Sequence, residues 1–315
     1  MLDSWREQGV NEKLLAAVQK FRQSHPWQGE RLPVKPRHPF FGKEIIEAAA
    51  AALLAGENLL LTGPKATGKN VLAENLAAAF GRPDWNVSFH INMDASYLLG
   101  TDTFRNGAVE FRPGPVYECA QSGGFCVLDE INMARNEALA VLHSLLDFRR
   151  ILDVPGYGRL HLHPAARFIA TMNYGYAGTR ELNEALASRF VVLQLPVLEE
   201  AGLERLLGQE FPSLAAAPRR LLVQLFLDLQ QKAANAQISS KAVDLRGLIG
   251  AVRMMELGLP VRQALAMGIV NKCFDEEERA MVQDVIAMRI PQRLMPADVF
   301  EKWRRREHGA EGRKP

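Results

Sequence analysis

The stretch of sequence that decides the fold is Asn58-Leu59-Leu60-Leu61-Thr62-Gly63-Pro64-Lys65-Ala66-Thr67-Gly68-Lys69-Asn70-Val71-Leu72. It begins with a short apolar run, passes through a loop bounded by two glycines, and continues into an amphipathic run. Strand, loop and helix in this order are the context that a phosphate-binding loop requires. We therefore predict such a loop at residues 63–69.

The chemistry of this loop follows from its glycines and its lysine. Gly63 and Gly68 let the backbone curl so that several N–H groups point at one anion, and the following helix adds the positive end of its dipole. Lys69 supplies a full charge where the β- and γ-phosphates of a nucleotide would sit. Asn70 departs from the usual pattern, because Ser or Thr normally binds Mg²⁺ there. The expected nucleotide contacts are Gly63, Pro64, Lys65, Ala66, Thr67, Gly68, Lys69, Asn70 and Val71.

A second informative stretch is residues 123–130, in which an apolar strand ends in Asp129 and Glu130. Ligands collect at the carboxyl ends of the strands of a parallel sheet. Asp129 is placed to hold the hydration shell of Mg²⁺, and Glu130 is placed to orient or deprotonate an attacking water. Asn173 ends a further apolar strand and can reach the same crevice. Downstream of a phosphate-binding loop, this arrangement predicts ATP and Mg²⁺ as cofactors.

The order of predicted elements indicates two main domains. Alternating strands and helices over residues 40–197 predict an α/β domain whose parallel sheet is covered by helices on both faces. Helical stripes over residues 198–295 predict a smaller all-helical domain. Residues 1–39 are predicted to form a helix and a proline-rich linker, and residues 296–315 a charged tail. Within the α/β domain we predict helices at residues 135–148 and 181–189 and hairpins at residues 103–111 and 150–163.

Composition narrows the class of protein. A net charge of +2 over 315 residues argues against bulk nucleic acid as a partner, and no recognition motif for nucleic acid is present. Three scattered cysteines do not make a disulfide framework, which fits a reducing compartment. The sequence shows no readable signal peptide and no apolar stretch long enough to span a bilayer. We therefore predict a cytoplasmic protein with no membrane span and no specific nucleic-acid partner.

Together these motifs resemble those of the AAA+ ATPases, and specifically the MoxR-like branch that includes the CbbQ, NorQ and GvpN types. The resemblance covers about residues 40–246. It rests on residues 63–69, 111–115, 128–132, 171–173 and 178–190. The last of these, Gly-Thr-Arg-Glu-Leu-Asn-Glu-Ala-Leu-Ala-Ser-Arg-Phe, is the most specific to the branch. The resemblance implies an AAA+ core with a helical lid that binds ATP and Mg²⁺.

The resemblance also implies an assembly and roles for single residues. It implies a homo-oligomer, a hexameric ring, that remodels or activates a protein partner, often one with a von Willebrand A domain. The two hairpins resemble inserted hairpins that face the ring pore. The implied roles are catalytic base for Glu130, sensor 1 for Asn173, arginine finger for Arg189, sensor 2 and nucleotide contact for Arg246, a second interface arginine for Arg180, adenine-side segment for Phe41 and Gly42, and metal site for Asn70 and Asp129.

Two function classes stay open at this point. The first is an ATP-hydrolysing remodelling machine, and the second is a nucleotide-gated binding module that holds ATP with little turnover. Glu130, Asn173 and Arg189 favour the first class, whereas Asn70 favours the second. Arg189 has no obvious route to the loop of its own chain, so we expect it to reach a neighbour's phosphate, an effect that can reach roughly 10³-fold. A nucleic-acid motor lacks support.

Overall fold

The computed structural model describes residues 1–105, 107–173 and 181–301. The chain divides into two compact units, Met1–Val197 and a second unit that begins at Leu198. The strands of the first unit are β1 (Leu59–Thr62), β2 (Asp84–Ser88), β3 (Gly100–Arg105), β4 (Ala108–Pro113), β5 (Phe125–Asp129), β6 (Ile151–Val154), β7 (Gly158–His161), β8 (Arg167–Met172) and β9 (Val191–Gln194).

Five of these strands form one parallel sheet in the order β2-β5-β8-β1-β9. β1 lies between β8 and β9, with Leu59 opposite both Ile169 and Val191. Because all five strands run in the same direction, their carboxyl ends meet at one edge. That edge carries both the phosphate-binding loop, which follows β1, and Asp129, which ends β5. The predicted parallel sheet is confirmed.

Helices cover both faces of this sheet, as predicted. They are α1 (Leu2–Glu7), α2 (Glu12–Ser24), α3 (Lys43–Ala55), α4 (Lys69–Ala79), α5 (Ala95–Leu99), α6 (Pro115–Ser122), α7 (Asn136–Leu139), α8 (Leu142–Leu145) and α9 (Glu184–Ala187), with a 3₁₀ turn at Ile131–Met133. Successive side chains of a strand point to opposite faces. Leu59 and Leu61 of β1 therefore pack with residues of α1 to α4, and Leu60 packs with residues of α5 to α9.

The N-terminal residues contribute to the core of the first unit. The sequence predicts a single helix and a linker, whereas the structure has two helices, α1 and α2. Trp5 of α1 is fully buried, and Leu15 and Val18 of α2 pack in the same cluster. Asn11 caps α2 by accepting a hydrogen bond of 2.9 Å from the N–H of Lys13.

Two helices near the sheet differ from their predicted extent. The helix predicted at residues 135–148 is divided into α7 and α8, although Ala140 and Val141 between them keep helical dihedral angles. The helix predicted at residues 181–189 is reduced to α9. Asn183 sets its start, because its side chain accepts a hydrogen bond of 2.8 Å from the N–H of Ala185 and so acts as the cap.

Both predicted hairpins are present outside the main sheet. β3 pairs with β4, and β6 pairs with β7, each antiparallel. The two hairpins contact one another: the hydroxyl of Tyr157 donates a hydrogen bond to Asp102, and the rings of Phe111 and Tyr157 lie 4.4 Å apart between centroids. Asn106, the first residue of the predicted Asn-Gly turn, lies outside the described residues.

The second unit is helical over its described residues, as predicted. Its helices are α10 (Glu200–Glu210), α11 (Ala216–Ala234), α12 (Leu245–Glu256), α13 (Val261–Gly268), α14 (Glu276–Arg289) and α15 (Pro296–Val299), with a 3₁₀ turn at Val270–Lys272. An isolated β-bridge joins Leu214 and Phe300. Over residues 1–105, 107–173 and 181–301, no helix is long and apolar enough to cross a membrane. The charged tail predicted at residues 296–315 is wrong for its first residues, because α15 forms there with Pro296 and Val299 buried. The residues beyond Glu301 lie outside the described part of the chain.

Candidate nucleotide-binding site

The loop of residues 63–68 joins β1 to α4 and has a backbone that only glycine adopts easily at two positions. Gly63 and Gly68 have φ angles of 147° and 87°. A Cβ atom at Gly63 would lie 2.6 Å from the backbone oxygen of Leu195, so a larger residue does not fit there. Because α4 begins at Lys69, the free N–H groups of its first turn lie beside the loop. The structure thus has the predicted strand, loop and helix.

The other predicted loop contacts differ in exposure. Lys65 is exposed, whereas Pro64 and Ala66 are half-buried, and so is Val71 within α4. Thr67 is buried, and its hydroxyl donates a hydrogen bond of 3.1 Å to the backbone oxygen of Pro64. This bond closes the loop on itself and leaves Lys65 facing solvent.

Lys69 lies inside the loop, with 7% of its surface exposed. Its Nζ donates hydrogen bonds to the backbone oxygens of Gly63, at 2.9 Å, and Pro64, at 2.7 Å. Burial lowers the pKa of Lys69 to about 8, and the charges of Asp129 and Glu130 oppose this shift. The ammonium group is therefore poorly stabilised by the chain alone, and an anion in the loop would stabilise it.

A segment before α3 lies against the loop. Phe41 and Gly42 are the predicted adenine-side residues, and Gly42 precedes α3 with a φ angle of 142°. The structure adds Phe40, whose ring lies 3.2 Å from the position that a Cβ atom of Gly68 would occupy. Gln8 holds this segment, since its side chain donates to the backbone oxygen of Phe40 at 3.0 Å and accepts from the N–H of Gly42 at 3.3 Å. The adenine-side role stays a prediction.

Asp129 receives hydrogen bonds on both carboxylate oxygens. The side-chain amide of Asn70 donates to Oδ2 at 3.0 Å, and the hydroxyl of Thr171 donates to Oδ1 at 2.5 Å. The structure therefore brings together the two residues predicted to form a metal site. Thr171 is an additional residue of the site, because no role was predicted for it from the sequence.

Glu130 is exposed at the same edge of the sheet and is held from two directions. Its Oε1 accepts a hydrogen bond of 2.9 Å from the side-chain amide of Asn173. Its backbone N–H donates to Thr171 Oγ1 at 3.0 Å. Its φ angle of 55° lies in the left-handed region, where a residue other than glycine is strained. Asn132 supports the arrangement by donating to the backbone oxygen of Asn173 at 2.8 Å.

The donor set of this crevice fits a magnesium ion. Mg²⁺ prefers oxygen ligands and is often bound through one or two carboxylates with retained water. A carboxylate has about four acceptor positions, and two hydrogen bonds leave about two of those of Asp129 for a metal or for its water. Asn70 can also offer an amide oxygen. The predicted set of Asp129 and Asn70 thus agrees with the chemistry of the ion.

Arg189 lies away from this crevice. Its Nε donates to the backbone oxygen of His143 at 3.1 Å, another N–H donates to that of Ala185, and its Nη2 lies 3.7 Å from Asp147 Oδ2. The side chain of Asn58 donates to the backbone oxygens of Leu146, at 2.9 Å, and Arg189, at 3.0 Å. Asn58 precedes β1, whereas the phosphate-binding loop follows β1. Arg189 therefore lies at the amino ends of the strands, and its own loop lies at their carboxyl ends.

Two further arginines, Arg246 and Arg180, are predicted to contact the nucleotide or a neighbouring subunit. Arg246 belongs to the second unit, where it is exposed in the first turn of α12. Its backbone N–H donates to the capping side chain of Asp244 at 3.0 Å. Arg180 lies outside the described residues. The roles of both residues stay predictions.

Comparison with known proteins agrees with the fold and with the loop. The fold and the site define a nucleotide-binding protein of the P-loop class. Residues 58–190 match the AAA domain of the dynein-related subfamily. The uncharacterized protein YojN of Bacillus subtilis strain 168 is 36% identical over 250 residues, which cover 76% of this chain and 81% of that protein. The chain belongs to the AAA+ ATPase family.

Other matches extend over much of the chain. The uncharacterized protein SH1500 of Staphylococcus haemolyticus is 32% identical over 252 residues, 78% of this chain and 95% of that protein. Among solved structures, a candidate ATPase of Cytophaga hutchinsonii has a TM-score of 0.46 and 15% identity, covering 92% of this chain and 98% of that one. A variant of RuvB from Thermotoga maritima has a TM-score of 0.46 and 16% identity, covering 84% and 74%.

Proposed function

We propose that the protein is a MoxR-like AAA+ ATPase that hydrolyses ATP in a hexameric ring and uses the energy to remodel or activate a protein partner. The observation that carries the proposal is the convergence of four side chains at one edge of the sheet. Lys69 lies in the phosphate-binding loop, and Asn173 donates a hydrogen bond directly to the carboxylate of Glu130. Thr171 joins Asp129 to the same group, because its hydroxyl donates to Asp129 and accepts the backbone N–H of Glu130. A binding site alone would not need a positioned carboxylate such as Glu130.

In the proposed reaction the loop N–H groups and Lys69 hold the phosphates of ATP. Glu130 orients the attacking water and accepts its proton as the new bond to the γ-phosphorus forms and the bond to the bridging oxygen breaks. Asn173 keeps the carboxylate of Glu130 in place through its bond of 2.9 Å. Asp129 and Asn70 would hold Mg²⁺, which when bound offsets charge on the phosphates.

The ring is supported by the position of Arg189. An arginine at the edge of the sheet opposite its own loop can contribute to phosphate chemistry only in a neighbouring chain. Arg189 acts there as an arginine finger, stabilising the charge that develops on the transferred phosphoryl group. Arg246 of the helical lid and Arg180 add to the nucleotide site and to the subunit interface, respectively.

The hairpins are the proposed contact with the partner, which carries a von Willebrand A domain. Phe104 and Val109 lie opposite one another at the end of the first hairpin, with 74% and 65% of their surfaces exposed. A partner that covers Phe104 and Val109 would remove their apolar surface from water. The three cysteines are buried free thiols, which fits the reducing cytoplasm that we propose as the location.

The test of hydrolysis is the Glu130→Gln variant. It keeps the shape of the side chain but cannot accept a proton, so we expect ATP binding to persist and turnover to fall about 10²–10⁴-fold. Binding is measured by calorimetry and turnover by phosphate release. Glu137→Gln, which changes an exposed acid on α7, is the matched control and should retain activity. Hydrolysis by Glu130→Gln at the wild-type rate would overturn the proposed role.

A second candidate function is a nucleotide-gated binding module with little or no hydrolysis. The observation that favours it is the hydrogen bond from Asn70 to Asp129 Oδ2, since this bond competes with metal binding at that oxygen. Such a module would bind ATP and change its affinity for a partner without releasing phosphate. Wild-type phosphate release that stays at the level of Glu130→Gln, alongside tight ATP binding, would favour this function.

A further inference from the structure

A cavity lies between the segment that follows α2 and the C-terminal end of α4. Its volume is about 350 Å³. It is formed by the C-terminal end of α2, by residues 32–35 and by the end of α4. The residues that line it are Arg22, His25, Trp27, Leu32, Pro33, Val34, Lys35, Ala78, Phe80 and Gly81. Neither the phosphate-binding loop nor the hairpins contribute to it.

The ionisable residues that line the cavity are all basic. Arg22 and Lys35 are exposed and His25 is half-buried, and no Asp or Glu is among the lining residues. Neither Arg22 nor Lys35 forms a hydrogen bond or an ion pair with any residue in the described part of the chain. Both side chains are therefore available to an acidic ligand.

A further arginine lies directly behind the cavity wall. Arg82 is only 1% exposed, and it donates a hydrogen bond to the backbone oxygen of His25. Its Nε is buried and has no hydrogen-bond partner among the described residues. The guanidinium group also lies 5.7 Å from the centre of the Trp27 ring. Its charge therefore adds to the positive potential on the inner side of the cavity.

Two more arginines lie near Arg82, since Arg82 and Arg167 both contact the ring of Phe21 and Arg150 lies beside Arg167. Arg150 and Arg167 donate to backbone oxygens, including a shared one on Ala166 at 2.9 Å from each. Neither forms an ion pair with a carboxylate in residues 1–105, 107–173 or 181–301. Burial, and then the charges of Arg150 and Arg82, lowers the pKa of Arg167 to about 10.

The cavity also has an apolar side, which indicates the kind of anion. Leu32 is 79% exposed at its edge, whereas Trp27 is half-buried and Phe80 is buried at its inner wall. A small inorganic anion would leave Leu32 in water, whereas a peptide could cover it with an apolar side chain. Arginine and tryptophan are also the residues that most often anchor protein interfaces.

We propose that this cavity binds an acidic peptide segment of a protein partner, with carboxylates at Arg22 and Lys35 and an apolar side chain against Leu32 and Trp27. The inference rests on the proposed function in that it assumes a protein partner, but it does not depend on ATP hydrolysis. It assigns the N-terminal residues, which precede the part of the chain matched by the AAA domain, a role in recognition. The hairpins and this cavity are then separate contacts.

The test uses the full-length chain and a fluorescein-labelled peptide of sequence Asp-Glu-Phe-Leu-Asp-Glu, with Asn-Gln-Phe-Leu-Asn-Gln as the neutral control. Binding is measured by fluorescence anisotropy. We expect the acidic peptide to bind the wild-type chain, and the Arg22→Glu/Lys35→Glu variant to bind it at least about tenfold more weakly. Arg22→Gln/Lys35→Gln should weaken binding in the same direction by a smaller factor.

The matched control is Lys13→Glu/Lys20→Glu, which makes the same charge change on exposed residues of α2 outside the cavity lining. It should leave peptide binding close to that of the wild type. Absence of binding to the wild type, equal binding of the neutral peptide, or an equal loss in the control variant would overturn the inference. ATP turnover of the wild-type chain is measured on the same samples to separate the two proposals. A wild-type chain that binds the peptide but does not hydrolyse ATP would contradict the proposed hydrolysis and leave the peptide site supported.

Discussion

Thr171 donates a hydrogen bond of 2.5 Å from its hydroxyl to Oδ1 of Asp129. The same oxygen of Thr171 accepts the backbone N–H of Glu130 at 3.0 Å. Thr171 is completely buried, so one hydroxyl group fixes the positions of two neighbouring acidic residues. A hydrogen bond to a charged group contributes about 1.5–3 kcal/mol, which makes this contact large enough to affect catalysis.

We therefore predict that Thr171→Val lowers turnover by about 10- to 100-fold, because the loss of one such bond corresponds to that range. The variant keeps the shape of the side chain, so ATP affinity should change little, while more Mg²⁺ should be needed for half-maximal activity. Thr171→Ser restores the hydroxyl and should recover most of the activity. Steady-state kinetics and a magnesium titration are the measurements. Equal activities of the Val and Ser variants would contradict the prediction.

Asn70 is predicted to raise the magnesium requirement of the enzyme. Its amide donates to Asp129, and its side chain is longer than the Thr or Ser that usually binds the ion directly from this position. Asn70→Thr should need less Mg²⁺ for half-maximal phosphate release and should turn over faster, with unchanged ATP affinity. Asn70→Ala removes the amide without supplying a hydroxyl. It therefore shows whether the loss of the hydrogen bond to Asp129 is enough, or whether a hydroxyl that binds the metal is also needed. Superimposable titrations of the wild type and Asn70→Thr would show that the substitution has no effect on catalysis.

Lys69 is predicted to make ATP binding depend on pH. Its pKa is lowered to about 8, and bound phosphates favour the charged form and raise the pKa again. Binding should be strongest below pH 8, where Lys69 is already charged, and should weaken by up to about tenfold per pH unit above it. At pH 8 binding should take up about half a proton, measurable by calorimetry in buffers of different ionisation enthalpy.

The control for this experiment is Lys69→Met, which should bind ATP weakly and without the change above pH 8. The lowered pKa of Lys69 also makes the stability of the folded protein depend on pH. A lowered lysine pKa destabilises the charged folded form, so the nucleotide-free protein should gain stability as pH rises from about 8 towards 10.5. An ATP affinity that stays constant between pH 7 and pH 9.5 would be inconsistent with the role of Lys69.

Arg189 is predicted to act on the site of a neighbouring chain. Arg189→Ala and Glu130→Gln should each be nearly inactive alone. When the two variants are mixed at equal concentration, about a quarter of the sites should recover activity. In a randomly assembled ring, that is the fraction of sites at which a chain with Glu130 lies next to a chain with Arg189. Mixing Arg189→Ala with the double variant should recover nothing. Full ATPase activity of a species that light scattering shows to be monomeric would rule out the ring.

Much of the nucleotide site could be predicted because its chemistry is encoded locally. The loop around Gly63 and Lys69 requires glycines and a lysine at fixed spacing, and these stand within a few positions of each other. Asp129 and Glu130 follow an apolar run that ends at the same edge of the sheet. Asn173 ends a similar run, so its place in the crevice was also predictable.

The remaining contacts depend on how distant segments pair, which the sequence pattern does not specify. Thr171 meets Asp129 because β5 and β8 are adjacent with Leu128 opposite Ala170, and this register is set by the whole sheet. Phe40, rather than its neighbour Phe41, lies against Gly68 for a similar reason, since its backbone is bonded by Gln8, just after α1, and by Asn75 of α4.

Asn58, which directly precedes β1, links this strand to Arg189. The strand has four residues, a length of roughly 13 Å. At one end it leads into the loop that holds the phosphates, and at the other end the amide of Asn58 holds the backbone of Arg189. In the proposed ring these two ends serve different ATP molecules. β1 would then connect two consecutive ATP sites of the ring. A displacement of the phosphate-binding loop at one site would move β1, and with it Arg189 at the neighbouring site.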